Sequence, residues 1–136
     1  MAAARRELGA MRMSKTLQLS IKRAYLPPAP SDGRRVLVDR LWPRGLSRQE
    51  AELDDWMKAV APTPGLRKWF GHDPERFAEF RRLYRLELST NSALADLMNL
   101  AKQGPLTLLY AAKDERHNHA LVLAEYMMEM EGAGSE

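Results

Sequence analysis

The sequence predicts an α/β domain: a small, mainly parallel sheet with about four to five helices packed on it. Two apolar runs carry that expectation, VLV at residues 36–38 and LTLLYAA at residues 106–112. Neither shows polar alternation, so each reads as a strand buried on both faces. Around them lie segments whose apolar residues recur at helical spacing, which is the alternation that a parallel sheet requires.

The elements follow in order. Residues 1–16, MAAARRELGAMRMSKT, have no sustained periodicity and are expected to form a flexible N-terminal tail. From there LQLSIKRAY alternates apolar and polar at Leu17, Leu19 and Ile21, the pattern of a half-buried strand. PPAPSDG interrupts it, because its prolines remove donors and fix φ, and RRVLVDRLW then supplies the second strand, ending at Pro43. Ser47 and Glu50 have capping-box spacing, and Leu53, Trp56, Met57 and Val60 repeat as on one helical face, so a helix is expected over residues 48–60, stopped by Pro62. Thr63-Pro64 opens a short helical turn ending at Gly71. Asp73-Pro74 repeats that arrangement before a longer helix marked by Phe77, Phe80, Tyr84 and Leu88, whose other face is basic through Arg81, Arg82 and Arg85. Asn91 or Ser92 caps a helix carrying Leu94, Leu97, Met98 and Ala101, closed by Gly104-Pro105. The third strand follows, and after KDERHNH a last helix is expected over residues 119–130.

A chain of 136 residues with 45% hydrophobic content suffices for one core, which places a single domain at 17–130 and a flexible C-terminus at 131–136. With no cysteine there are no disulfides, thiolate nucleophiles or sulfur-ligated zinc sites, and the cytoplasm is the expected compartment. No apolar run reaches membrane-spanning length, and the N-terminal residues lack a secretory stretch, so no membrane partner is expected. The pI near 9.4 invites a nucleic-acid reading. The excess charge lies in the tail, however: Arg5, Arg6, Arg12 and Lys15 against Glu7 account for the whole net +3. Residues 17–48 are rich in basic groups and residues 86–136 in acidic ones, which suits an anionic ligand at one end of the molecule better than a duplex-wide basic surface.

Ligands of parallel sheets bind beyond the carboxyl ends of the strands. If the three strands run the same way, Arg23 and Tyr25, residues 40–44, and residues 113–119 converge there. In DRLWPRGLS, Trp42, Pro43 and Gly45 impose a turn that presents Arg44, while Arg40 ends the strand; arginine grips phosphate or carboxylate with paired hydrogen bonds. Asp39 can serve in catalysis or simply in a salt bridge, and Trp42 can plug the core. RKWFGHDPE offers His72 as an acid or base beside Trp69, with Asp73 read as a helix cap. KDERHNH places Lys113, Asp114, His117, Asn118 and His119 at the start of a helix, whose amides and dipole favour an anion. His119 is the first choice for an acid or base. His117 and His119 have no third ligand at metal-binding spacing, so no metal is assigned, and no cofactor is assigned either. Phosphate-loop, dinucleotide and nucleophile-elbow motifs are missing.

IKRAY, VLVDRLWPRGLS, LRKWFGHDPERFAEFRRLYRLEL and GPLTLLYAAKDERHNHALVLAEY together resemble the YeaO-like branch of the domain of unknown function 488 family, over residues 17–127. The resemblance implies a Rossmann-like three-layer sheet and assigns no reaction. It also implies that other branches carry a cysteine after the strand and a later Cys-His-Arg; the matching positions here are Tyr110, then Asn118, His119 and Ala120. Only the histidine persists, which removes thiol chemistry and leaves His119 with Asp39 and Arg40. The function expected is binding of an anionic small molecule, a nucleotide or phosphorylated metabolite, with His119 as acid or base. The alternatives are a nucleic-acid-associated protein using the tail and the Arg81, Arg82, Arg85 face, and a structural or partner-binding module without catalysis.

Overall fold

The computed structural model describes residues 17–134; the expected N-terminal tail lies outside the described residues. Strands β1 (Leu19–Arg23), β2 (Arg34–Leu37), β3 (Asp55–Trp56) and β4 (Leu106–Tyr110) form one sheet in the order β1-β4-β2-β3, and every neighbouring pair is parallel. β4 is inserted between the first two strands, with Leu108 opposite both Ile21 and Val36. That position explains its unbroken apolar run, since all of its residues are buried. β1 is an edge strand, and its polar alternation reflects this.

Helices α2 (Pro64–Phe70), α3 (Phe77–Leu88), α4 (Ala93–Lys102) and α5 (His119–Gly134) cover one face. The main core lies between them and the sheet, built from Leu19, Val36, Val38, Leu106, Leu108 and Tyr110 on the strands and from Phe70, Phe80, Tyr84, Leu97, Val122 and Leu123 on the helices. The opposite face has a thinner third layer. Leu37, Leu109 and Ala24 pack there under Trp42, Leu46, Leu53 and Trp56, together with the single turn of α1 (Arg48–Ala51). The result is the small three-layer α/β domain that the sequence predicts, with a fourth strand added.

That strand corrects one expectation: residues 48–60 do not form a continuous helix. The Ser47 capping box is present, with Ser47 Oγ accepting from the Glu50 amide and the Glu50 carboxylate accepting from the Ser47 amide. After one turn Glu52 adopts a left-handed conformation at φ 46°. Asp54 then pairs with Arg35 through both its amide and its carboxylate, and Asp55 and Trp56 extend alongside β2. Leu53 and Trp56 face the thin layer while Val60 enters the main core. Their helix-like spacing is that of a segment wrapping around the sheet edge. At the other end, the expected flexible C-terminus over 131–136 is helical as far as Gly134.

The remaining caps agree with the sequence. Thr63 Oγ1 accepts from the Leu66 amide with Pro64 at the first helical position, and Asp73 accepts from the Glu75 amide. Gly33, at φ +64°, lies where an added Cβ would overlap the Pro105 carbonyl, so only glycine lets β2 start beside β4.

Candidate functional site

All four strands end at one concavity of about 820 Å³. Tyr25 enters its wall after β1, residues 39–44 after β2, Ala61 and Pro62 after β3, and residues 111–114 after β4. Asn118 and His119 close it at the start of α5, and Arg67, Lys68, Phe70 and His72 line it from α2 and the turn that follows. Arg40 and His119, 79 residues apart in sequence, therefore face one cavity, as the parallel arrangement requires.

Asp39 and His119 form the polar floor. The Asp39 carboxylate accepts the Ala111 amide at 3.1 Å through Oδ2, which ties the end of β2 to the end of β4. Its main-chain carbonyl accepts the Trp56 indole N–H at 2.8 Å. His119 Nε2 lies 3.0 Å from the Val38 carbonyl and 3.2 Å from Asp39 Oδ1. A carbonyl only accepts, so Nε2 carries the proton, and Nδ1 is the basic atom of the ring. Asp39 Oδ1 is buried without a hydrogen-bond partner, 3.2 Å from the imidazole. The Val38 carbonyl thus fixes the orientation of the imidazole, with the Asp39 carboxylate alongside it. The lining holds no serine, threonine or cysteine, and its phenol, Tyr25, donates to the Arg44 carbonyl at 2.7 Å.

The walls are basic. Arg40 donates to the Ala61 and Pro62 carbonyls at 3.2 and 3.3 Å and is only half buried. Arg44, Arg67, Lys68 and Lys113 are exposed and make no ion pair with any described residue. Elsewhere six arginines meet acids, Arg34 with Asp55, Arg35 with Asp32, Arg76 with Asp73, Arg81 with Glu125, Arg82 with Glu79 and Arg85 with Glu129, while Arg48 lies over the Trp42 and Trp56 rings.

Of the residues singled out from the sequence, Tyr25, Asp39, Arg40, Trp42, Arg44, His72, Lys113, Asn118 and His119 line the cavity. Arg23, Trp69 and His117 do not. Arg23 donates to the Ala111 and Ala112 carbonyls and lies 5.0 Å above the Tyr25 ring. Trp69 is on the exposed side of α2 under the Arg76 guanidinium, which also donates to its carbonyl. His117 turns away to the Asp114 carboxylate at 2.8 Å and the edge of Phe77. Asp114 accepts the Arg116 amide, the His117 ring and the His117 amide, which hold its carboxyl below the ordinary range. The α5 cap is Asn118, whose Oδ1 accepts from the Leu121 amide, while Asp114 braces the turn before it.

Arg67 and Lys68 escape the sequence reading. Their signal is helical phase, because Leu66 and Phe70 are the buried pair of α2 and leave the basic residues between them facing out. Tyr84, expected from the sequence as a core position of its helix, also reaches His119. Its hydroxyl donates to the Val60 carbonyl at 2.6 Å and its ring meets His119 edge-on, while burial pushes the phenol well above its ordinary pKa. No group of three or more His, Asp or Glu among the described residues converges on a metal-binding position. No helix among them is long and apolar enough to cross a membrane.

The family model described as "Inactive DUF488-N3 subclade" matches residues 18–133. The chain belongs to this family. Within it, "Uncharacterized protein YeaO" of Escherichia coli is 45% identical over 112 residues, covering 82% of this chain and 97% of the relative. "Uncharacterized protein Mb3100c" of Mycobacterium bovis and "Uncharacterized protein Rv3073c" of Mycobacterium tuberculosis are each 39% identical over 115 residues, 85% of this chain and 98% of theirs. No solved structure matches the chain.

Proposed function

We propose that the cavity binds an anionic small molecule, a nucleotide or phosphorylated metabolite, and that its role is recognition rather than covalent catalysis. The observation that carries this reading is the set of unpaired cations, Arg44, Arg67, Lys68 and Lys113, gathered from three separate segments into one concavity. Like charges brought together repel, and none of these four meets an acidic partner that would offset the convergence. An anion offsets the repulsion and receives charge-assisted hydrogen bonds. His119, held by the Val38 carbonyl, adds an imidazole contact to the same cavity. The volume is within the range of small-molecule sites, and position at the strand carboxyl ends is the usual one for parallel sheets.

The nucleic-acid alternative has less support, since Arg81, Arg82 and Arg85 are each neutralised by a glutamate. The purely structural alternative would require the cavity's cations to be consumed internally, and Arg44 is exposed and unpaired.

Thermal unfolding of the full chain with inorganic phosphate, pyrophosphate and a phosphorylated sugar tests the proposal. A ligand at about a hundred times its Kd stabilises by about 2.7 kcal/mol, which raises the Tm of a domain this size by roughly 5 °C or more. The Arg44→Glu/Lys113→Glu double variant should lose that rise while keeping its unliganded Tm. No rise with any of the three anions, or an equal rise in the double variant, would overturn the reading.

A further inference from the structure

The cavity wall is not uniformly charged, and its one exposed phenol ring is held at two points. Tyr25 is 39% exposed, lines the cavity, and is fixed at two points. Its hydroxyl donates to the Arg44 carbonyl at 2.7 Å, and the Arg23 guanidinium covers one face at 5.0 Å. Arg23 is itself locked by the carbonyls of Ala111 and Ala112 at the end of β4. No described ring stacks on the other face, and the tethered, 39% exposed ring lies directly beside Arg44. A side chain serving only to fill space would not be tethered by its hydroxyl while exposed.

Charge bounds the occupant further. The lining carries Arg40, Arg44, Arg67, Lys68 and Lys113 against Asp39 and Asp114, five fixed cations against two carboxylates and therefore three positive charges in excess. A nucleoside diphosphate carries about three negative charges near neutral pH, counting about two on its terminal phosphate. It also carries a planar base, and bases stack on aromatic rings regardless of sequence. We propose that the cavity takes a nucleoside diphosphate, with its base stacked on Tyr25 and its phosphates among Arg44, Arg67, Lys68 and Lys113. This rests on the anion-binding reading above and goes further by assigning the base. Tyr25 becomes the specificity-determining residue and Arg23 a positioning residue that holds the ring from behind.

Calorimetric titration of the full chain with ADP, pyrophosphate and adenosine separates the two claims. ADP should bind at least about tenfold more tightly than pyrophosphate, the factor expected from one stacked base, and adenosine weakly. Tyr25→Ala should bring ADP down to the pyrophosphate affinity and leave pyrophosphate itself unchanged. Tyr25→Phe, which keeps the ring and loses the tether, should retain a preference for ADP; unchanged unliganded melting of both variants serves as the folding control. Equal affinity for ADP and pyrophosphate in the parent protein overturns the base assignment while leaving the anion site standing. Equal loss of both ligands in Tyr25→Ala overturns it too, because the ring would then be acting on the phosphate wall. Failure of ADP and pyrophosphate alike to bind removes the anion-binding reading itself.

Discussion

Arg35 lies on the thin-layer side of β2 with its guanidinium almost fully enclosed, donating to Asp32 at 2.5 Å and to the carbonyls of Ala51 and Glu52. Lys22 reaches the same carboxylate from β1 at 3.0 Å. Burial opposes charge on Asp32, but the Ala29 amide, Lys22 and Arg35 together outweigh it and hold the carboxyl below its ordinary value. A depressed carboxyl stabilises the fold above the unfolded pKa of about 3.9, and that contribution disappears as pH falls through the lower folded value. Asp32→Asn leaves Arg35 buried without its acid, which should cost about 3 kcal/mol at pH 7. Denaturant unfolding of parent and variant should show the deficit shrinking as pH falls below the unfolded value toward the lower folded one; a deficit of equal size at neutral and at acid pH would show that charge is not its origin. None of this was legible from spacing: Asp32 reads as a turn residue in PPAPSDG, and nothing in the local pattern reveals that Lys22 and Arg35 converge on it.

Among the elements, those governed by local chemistry were legible and the one governed by pairing was not. Thr63-Pro64, Asp73-Pro74 and the apolar run of β4 each state their structure within a few residues, because caps and buried strands depend on immediate neighbours. The segment after Ser47 does not. Its capping box forms, but Asp54 and the two residues of β3 are claimed by the edge of β2, a partner distant in sequence. That pairing matters to the site. Trp56 packs edge-on against Trp42 at 5.3 Å, and its indole N–H holds the Asp39 carbonyl at 2.8 Å; Trp42 in turn donates to the Leu46 carbonyl. The two rings therefore pin the loop that presents Arg40 and Arg44. Trp56→Ala should cost about 2 kcal/mol, less than a fully enclosed tryptophan would. Amide hydrogen exchange should quicken across residues 39–46 and stay unchanged in α3 and α5; uniform quickening would mean that Trp56 supports the whole fold rather than this loop.

On the scale of the whole molecule, a fully parallel sheet is what turns scattered polar segments into one site. The convergence of Tyr25, residues 39–44 and residues 113–119 follows from strand direction, which the two buried apolar runs already imply. The α2 wall was not foreseeable in the same way, since it depends on how a short helix sits on the helical layer, and so Arg67 and Lys68 entered only with the structure. Segments also gained or lost their roles by orientation: His117 and His119 are two residues apart, yet one turns to Asp114 and the other to Val38 and Asp39.

The central claim is that these segments form a single anion site, and amide chemical shifts followed during a pyrophosphate titration test it most directly. Tyr25, residues 39–44, residues 67–72 and residues 113–119 should shift together along one saturable curve with a common Kd, and α4 should be silent. Shifts confined to one segment, or segments that saturate at different concentrations, would contradict a shared cavity.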